Sequence, residues 1–348
     1  MKAQKIKLAQ KKSIVILAVA VAFGLVGGVL LLKGRAATPF LAQEPENGIL
    51  TAPASSVADT TASGGKAAKF TAAATPTPAP TPTPSPTGKP SASTTGVPAG
   101  TTLTTVNGNV NVTTNGTVID GQYIKGFLNI KASNVTVRNT RVEGGSTTGV
   151  TPVIYIQSGT NILLEDVTVT VAHPSAGIDG VNGSNFTARR LNISGSVDGM
   201  KVGANSVVEN SYIHDLRYFT SDPSQGGGPS HNDAIQILSG NNITVQNNFL
   251  DATSDGANAA IQVTQDFGLV SGLLISNNWM DGGGCTLNIA QKGGSSLAVT
   301  ANGNKFGHIS GFANCPILIG TKVTLTGTGN VWETAPNAGA AVPIQQHD

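Results

Sequence analysis

Charged and aromatic residues are both scarce in this sequence: 11% of its 348 residues are charged and 5% are aromatic. Scarce aromatics exclude a core built on a few large anchors, so columns of Val, Ile and Leu must supply it. Two cysteines are too few for a dedicated zinc site. The first 35 residues hold seven of the 21 Lys and Arg and no acid; the remainder carries 14 basic against 19 acidic residues, a net of −5. That balance argues against nucleic acid as a partner. Helical periodicity is missing as well.

What the chain does have is repetition, and 43 glycines suited to tight turns. Asn134-Val-Thr-Val-Arg-Asn-Thr-Arg-Val142 returns as Asn161-Ile-Leu-Leu-Glu-Asp-Val-Thr-Val169, Asn242-Ile-Thr-Val-Gln-Asn-Asn-Phe-Leu250 and Gly272-Leu-Leu-Ile-Ser-Asn-Asn-Trp-Met280. The first inward position of each copy falls at Val135, Ile162, Phe186, Ser206, Ile243, Leu273, Leu297 and Val323, at intervals of 27, 24, 20, 37, 30, 24 and 26 residues. A second strand series lies between the copies, as in Val153-Ile-Tyr-Ile156, Gly199-Met-Lys-Val202, Ala234-Ile-Gln-Ile237 and Ala260-Ile-Gln-Val263. Short strands at this period predict an all-β solenoid, a parallel β-helix with strands stacked about 4.8 Å apart.

On these repeats, residues 100–335 resemble the right-handed parallel β-helix, or pectin-lyase-like, superfamily. The resemblance implies a fold. It says less about chemistry, because such folds carry lyases, hydrolases, epimerases and adhesins alike.

Ser13–Leu32 is an apolar run of 20 residues behind five lysines, the length of one bilayer crossing with a cytoplasmic N-terminus. The expected order is a basic tail (1–12), a transmembrane signal-anchor (13–33), a membrane-proximal segment (34–71), a Pro/Thr-rich linker (72–98), the β-helix (99–335) and a C-terminal tail (336–348). This places the protein in the cell membrane as a single-pass chain with an extracellular C-terminal domain. The alternative is a cleaved signal peptide, with Ala36-Ala37 as the peptidase site and a secreted product. Thr75-Pro-Thr-Pro-Ala-Pro-Thr-Pro-Thr-Pro-Ser-Pro-Thr87 reads as an extended polyproline spacer, either a passive linker or one bearing glycans on its threonines. Residues 44–54 and 62–70 resemble the opening of certain β-sandwich carbohydrate-binding modules, but are too short to be one.

Within the solenoid, Asn139, Asp166, Asn210, Asn247 and Asn277 share one turn position, predicting a ladder of amides bonded to one another and to the turn backbone. Arg190 interrupts it and is expected to point outward. Cys285 and Cys315 each lie two residues before an inward residue, so they fall in one column of adjacent coils. A disulfide is expected there, the alternative being two buried thiols.

Ile178-Asp-Gly-Val181, Val197-Asp-Gly-Met200 and Asn232-Asp-Ala-Ile235 align over three coils, stacking Asp179, Asp198 and Asp233. Stacked carboxylates repel and need a cation, a shared proton or basic neighbours. Asp before Gly is also a common turn residue, which leaves a structural explanation open. Lys201 stands beside them, with Gln236, Gln262 and Asn288 continuing its outward line as a polar stripe suited to sugar hydroxyls. His214 and Arg217 precede a 13-residue excursion (218–230), and His231 follows it. A long loop beside stacked acids is where a cleft is expected, which makes Arg217 and His231 catalytic candidates and His214 a substrate-binding one.

Asp198-Gly-Met and Asn232-Asp-Ala-Ile resemble motifs of polygalacturonase-like hydrolases. That resemblance implies Asp233 as acid and Asp198 as activator of water. Asn232 replaces one of the family's acids, however, and its Gly-His-Gly and Arg-Ile-Lys sequences are missing. Similarity to calcium-dependent polysaccharide lyases implies instead that Asp179, Asp198 and Asp233 hold Ca²⁺, with Lys201 as base and Arg217 as its partner. The expected function is thus action on an acidic polysaccharide at the cell surface. The alternative is a non-catalytic adhesin or glycan-binding solenoid.

Overall fold

The computed structural model describes residues 54–70, 88–290 and 295–347. The anchor at 13–33 and most of the Pro/Thr tract lie outside these residues. Among the described residues no helix is long and apolar enough to cross a membrane. The chain divides into two units, Met1–Thr83 and Pro84–Asp348. In the first, Ala54–Ala58 pairs antiparallel with Lys66–Phe70. Asp59 closes the connecting loop by accepting from the Thr61 N–H at 2.9 Å and from the Thr61 hydroxyl at 2.6 Å. Gly64 and Gly65 supply the positive φ that the reversal needs.

The second unit is all-β with long parallel sheets. Ten strands pair in one parallel sheet, from Val110–Val112 through Leu128–Ile130, Ile154–Ile156, Val181–Gly183, Met200–Val202, Asn232–Ile237, Ala257–Val263, Leu287–Ile289 and Ile317–Gly320 to Ile344–His347. Alternation decides which side chains go in. Ile154, Val181, Met200, Ile235, Ile261, Leu287 and Ile317 are register partners from coil to coil, and each is at most 1% exposed. Burying each such side chain contributes about 1.5–3 kcal/mol, so the column stabilises the stack without any large aromatic.

The remaining strands also pair in parallel between coils, Ile162–Val171 lying against both Phe186–Arg189 and Asn192–Ser194. This is the pairing expected of a parallel β-helix repeat. One interval departs from the expected register: Leu273 pairs with Val299, not Leu297, so the step is 26 residues. A slip of two residues keeps every side chain on its own face, which is why alternation alone does not expose it.

The turn position at Asn139, Asp166, Asn210, Asn247 and Asn277 is left-handed, with φ between 47° and 57°. Asn and Asp tolerate that conformation best among residues with a side chain. The amide ladder runs one residue later. Asn248 donates to Asn278 at 3.0 Å, Asn278 to Asn304 at 3.0 Å and Asn304 to Asn330 at 2.9 Å. Each of these amides also donates to a buried carbonyl, Asn278 to that of Val245 at 2.9 Å.

Arg190 does not point outward. It is 4% exposed, 2.7 Å from Asp166 and 3.0 Å from Glu165. Its carboxylate partners let it take the turn position with the guanidinium folded in.

Cys285 and Cys315 form a disulfide with Cα atoms 4.8 Å apart. Two assigned boundaries also move. Residues before 99 already pack on the stack: Lys89 bonds Glu333 at 2.8 Å and lies 3.9 Å over the Phe249 ring. The Gly96 N–H donates to the Arg190 carbonyl at 2.7 Å, and that of Val97 to the Thr168 hydroxyl at 2.9 Å. At the other end, the tail provides Ile344–His347, the last strand of the ten.

Candidate functional site

The outward residues of the ten-stranded sheet form the site. Tyr155, Asn182, Lys201, Gln236, Gln262 and Asn288 are successive register partners, each about 4.8 Å from the next. A groove of about 850 Å³ opens over the first four, with Asp179 in its floor and Gln157, Gln225, Val150 and Phe267 among its walls. Val150 and Phe267 are 65% and 80% exposed, leaving apolar surface uncovered at the groove.

Asp179, Asp198 and Asp233 enter this sheet one per coil. The Gly180 N–H donates to the Asp198 carbonyl at 2.8 Å and the Gly199 N–H to the Asp233 carbonyl at 2.9 Å. The coils are so close here that a Cβ at Gly180 would strike the Gly199 carbonyl, and one at Gly199 would strike Ile213 and the Ala234 carbonyl. Glycine after aspartate is therefore a packing requirement at these two positions.

All three carboxyl groups are buried, at 3%, 3% and 0% exposure. Lys201 compensates two of them: its Nζ lies 2.7 Å from Asp179 Oδ2 and 3.1 Å from Asp198 Oδ2. Asp198 Oδ1 accepts the Asp233 N–H at 2.8 Å. Asp233 accepts from Asn258 at 2.9 Å and from Gln236 at 3.2 Å.

Burial, then the neighbouring charge of Asp179, pushes the Asp198 carboxyl up to about 7 against the pull of Lys201. Asp233 is raised well above the usual carboxylate range by burial and by Asp198. Burial works against the Lys201 ammonium, but the charges of Asp198 and Asp179 outweigh it and raise its pKa. A lysine so held stays protonated at neutral pH, which removes the free amine a lyase base requires.

These residues do not fit Ca²⁺. Calcium seeks six to eight oxygen ligands, whereas five of the six carboxylate oxygens here are committed to an ammonium, a backbone N–H and two amides. Among the described residues no group of three or more His, Cys, Asp or Glu is arranged to hold a metal ion. Lysine supplies the positive charge that stacked acids demand.

The other expected site residues scatter. His214 lies in Tyr212–His214, outside the ten-stranded sheet; it stacks on Tyr212 and bonds Asn192 at 3.1 Å and Asp215 at 2.7 Å. Arg217 and His231 are exposed and line neither this groove nor the small hollow beside Asn161 and Asn185. Gln262 is buried and accepts from Asn258 at 3.2 Å, and Asn288 lies two coils beyond Gln236, outside the groove lining. Asp198 and Asp233 sit behind the groove lining, not in it.

Asn232, in the place of a family acid, is a structural clamp. Its amide donates to the Arg217 carbonyl and its oxygen accepts from Ser230 at 2.8 Å, closing the base of the excursion. A carboxylate could not make that donation.

Tyr155, Asn182, Gln157, Gln225 and Phe267 were not singled out from the sequence. Tyr155 and Asn182 were legible in principle, as the same outward position as Lys201. Val181-Asn-Gly183 is simply too short and glycine-rich to read as a strand. No family model, no curated protein and no solved structure matches the chain. Fold and site therefore define it only as a parallel-stranded all-β repeat protein with a polar groove on one sheet.

Proposed function

We propose that this chain is a right-handed parallel β-helix of the pectin-lyase-like kind that binds a glycan in the Lys201 groove, held outside the cell by its N-terminal anchor and spacer. The observation that carries the reading is a contrast. The acids that would do chemistry are buried behind the groove and satisfied there, while the groove itself offers amides with open valences. Among the described residues Asn182, Gln157 and Gln225 make no side-chain hydrogen bond within the protein. Amides both donate and accept, as sugar hydroxyls do, and an exposed aromatic such as Phe267 suits the apolar face of a pyranose. The protein then acts as an adhesive or glycan-binding module rather than as an enzyme.

One feature favours a second reading. Burial and the neighbouring Asp179 charge raise the Asp198 carboxyl to about 7, the range in which a hydrolytic acid or base works. Under it Asp198 activates water and Asp233 protonates the leaving oxygen.

A single experiment separates the two. The protein is incubated with a panel of polysaccharides, and both retention and products are measured. Retention weakened by Asn182→Ala, with no new reducing ends, supports binding. Reducing ends that disappear in Asp198→Asn would replace it with the hydrolase. Unsaturated uronate products lost in chelator would replace it with the lyase.

A further inference from the structure

Resting on the glycan-binding reading, we infer that the groove takes an uncharged glycan and rejects polyuronates. The charges lining it decide this. Among the described residues Lys201 is the one cationic residue of the lining, which also holds Asp179 and Asp266. Its ammonium is already shared between Asp179 at 2.7 Å and Asp198 at 3.1 Å. A ligand carboxylate approaching Lys201 would meet two carboxylates in the same low-dielectric surroundings, where like charges repel most strongly. Among the described residues no second lysine or arginine lines the groove.

Recognition of a uronate carboxylate calls for a free cation or a bidentate arginine. The two arginines nearest in sequence, Arg189 and Arg190, spend their guanidinium groups on Glu165, Asp166 and Glu209. Arg217 does not line the groove.

Neutral hydroxyls face no such penalty. Tyr155, Asn182, Lys201 and Gln236 stand one per coil, so a chain lying along the stack meets one polar side chain about every 4.8 Å. Gln236 uses its amide nitrogen on Asp233 at 3.2 Å, which leaves its oxygen to accept from the ligand. Asn182 is free at both ends of its amide. Lys201 retains ammonium donor capacity toward a hydroxyl oxygen, which unlike a carboxylate brings no charge with it.

The test is equilibrium titration of the full chain with hexasaccharides. Neutral cellohexaose, xylohexaose and mannohexaose are compared with hexagalacturonate, each at low and at high ionic strength. The expected result is binding of at least one neutral hexasaccharide at an affinity that salt changes by less than about twofold, with hexagalacturonate weaker by about tenfold or more. Asn182→Ala should weaken the neutral ligand by about tenfold, the cost of one or two hydrogen bonds. Tighter binding of hexagalacturonate, falling steeply with salt, would overturn the charge argument and leave the glycan reading standing. Binding of none of the four would overturn both.

Discussion

Asp198→Asn removes one charge from the buried cluster while keeping its shape, and its consequence depends on pH. The folded carboxyl titrates at about 7, against 3.8 for the ordinary group. Between those two values the folded protein holds a proton that the unfolded chain has released. Stability tied to Asp198 is therefore fully present below about pH 4 and is lost as pH rises through about 7. About three pKa units at 1.36 kcal/mol each make this roughly 4 kcal/mol, on the order of 10 °C in melting temperature for a domain of this size.

The asparagine carries no charge at any pH, still accepts the Asp233 N–H, and leaves Lys201 paired with Asp179. Thermal melts of both proteins from about pH 4 to about pH 9 should coincide at the acid end, with the variant melting higher above pH 7. The comparison isolates Asp198 from groups of opposite sign, such as Glu143, whose carboxyl is held low by the Tyr123 hydroxyl. Those groups contribute equally to both proteins. Parallel curves, or a variant that loses stability at alkaline pH, would refute the account of a carboxyl raised by burial and by Asp179.

Three other perturbations follow from the fold. Reduction of Cys285–Cys315, which closes a loop of 30 residues, should lower stability by about 3–4 kcal/mol; identical melts with and without reductant would contradict it. Asn278→Ala strips side-chain partners from Asn248, Asn304 and the Val245 carbonyl and should cost about 3 kcal/mol or more, measured by urea unfolding; a neutral result would mean that the ladder is decorative. A chain beginning at Ala99 should be less stable than one beginning at Gly88 by about 2 kcal/mol, the worth of the two backbone bonds at Gly96 and Val97 together with the Lys89 contacts; equal melting would show that this segment adds nothing.

Stacking was legible in the sequence because alternation and period state it directly: Ile154, Met200, Ile235 and Ile261 could be aligned by eye and are register partners. Alternation has a blind spot at two residues, and Leu297-Ala-Val299 fell into it. The paired asparagines were visible, but their roles were not. Asn247 and Asn277 take the left-handed turn while Asn248 and Asn278 carry the ladder, a division that depends on backbone angles rather than residue type. Asp179, Asp198 and Lys201 were aligned correctly in register. What alignment could not supply was depth: that the acids are buried, that Lys201 neutralises two of them, and that His214 and Arg217 lie off the groove. Phe267 reaches the groove from a loop with no repeat to announce it.

The segment from Lys89 to Val97 also determines how the stack meets a mechanical load. It runs along the outside of the coils, fastened to Glu333 and Phe249 at one end and to Arg190 and Thr168 at the other. Tension entering at residue 88 falls first on the Lys89 contacts and then passes to the next fastening, so the strap peels rather than shears. Its nine residues span at most roughly 30 Å when straightened, so the tether lengthens before any force reaches the coil-to-coil ladder. A protein held by its N-terminal side and gripping a ligand through its groove would then yield in its tether first, with the binding face still intact.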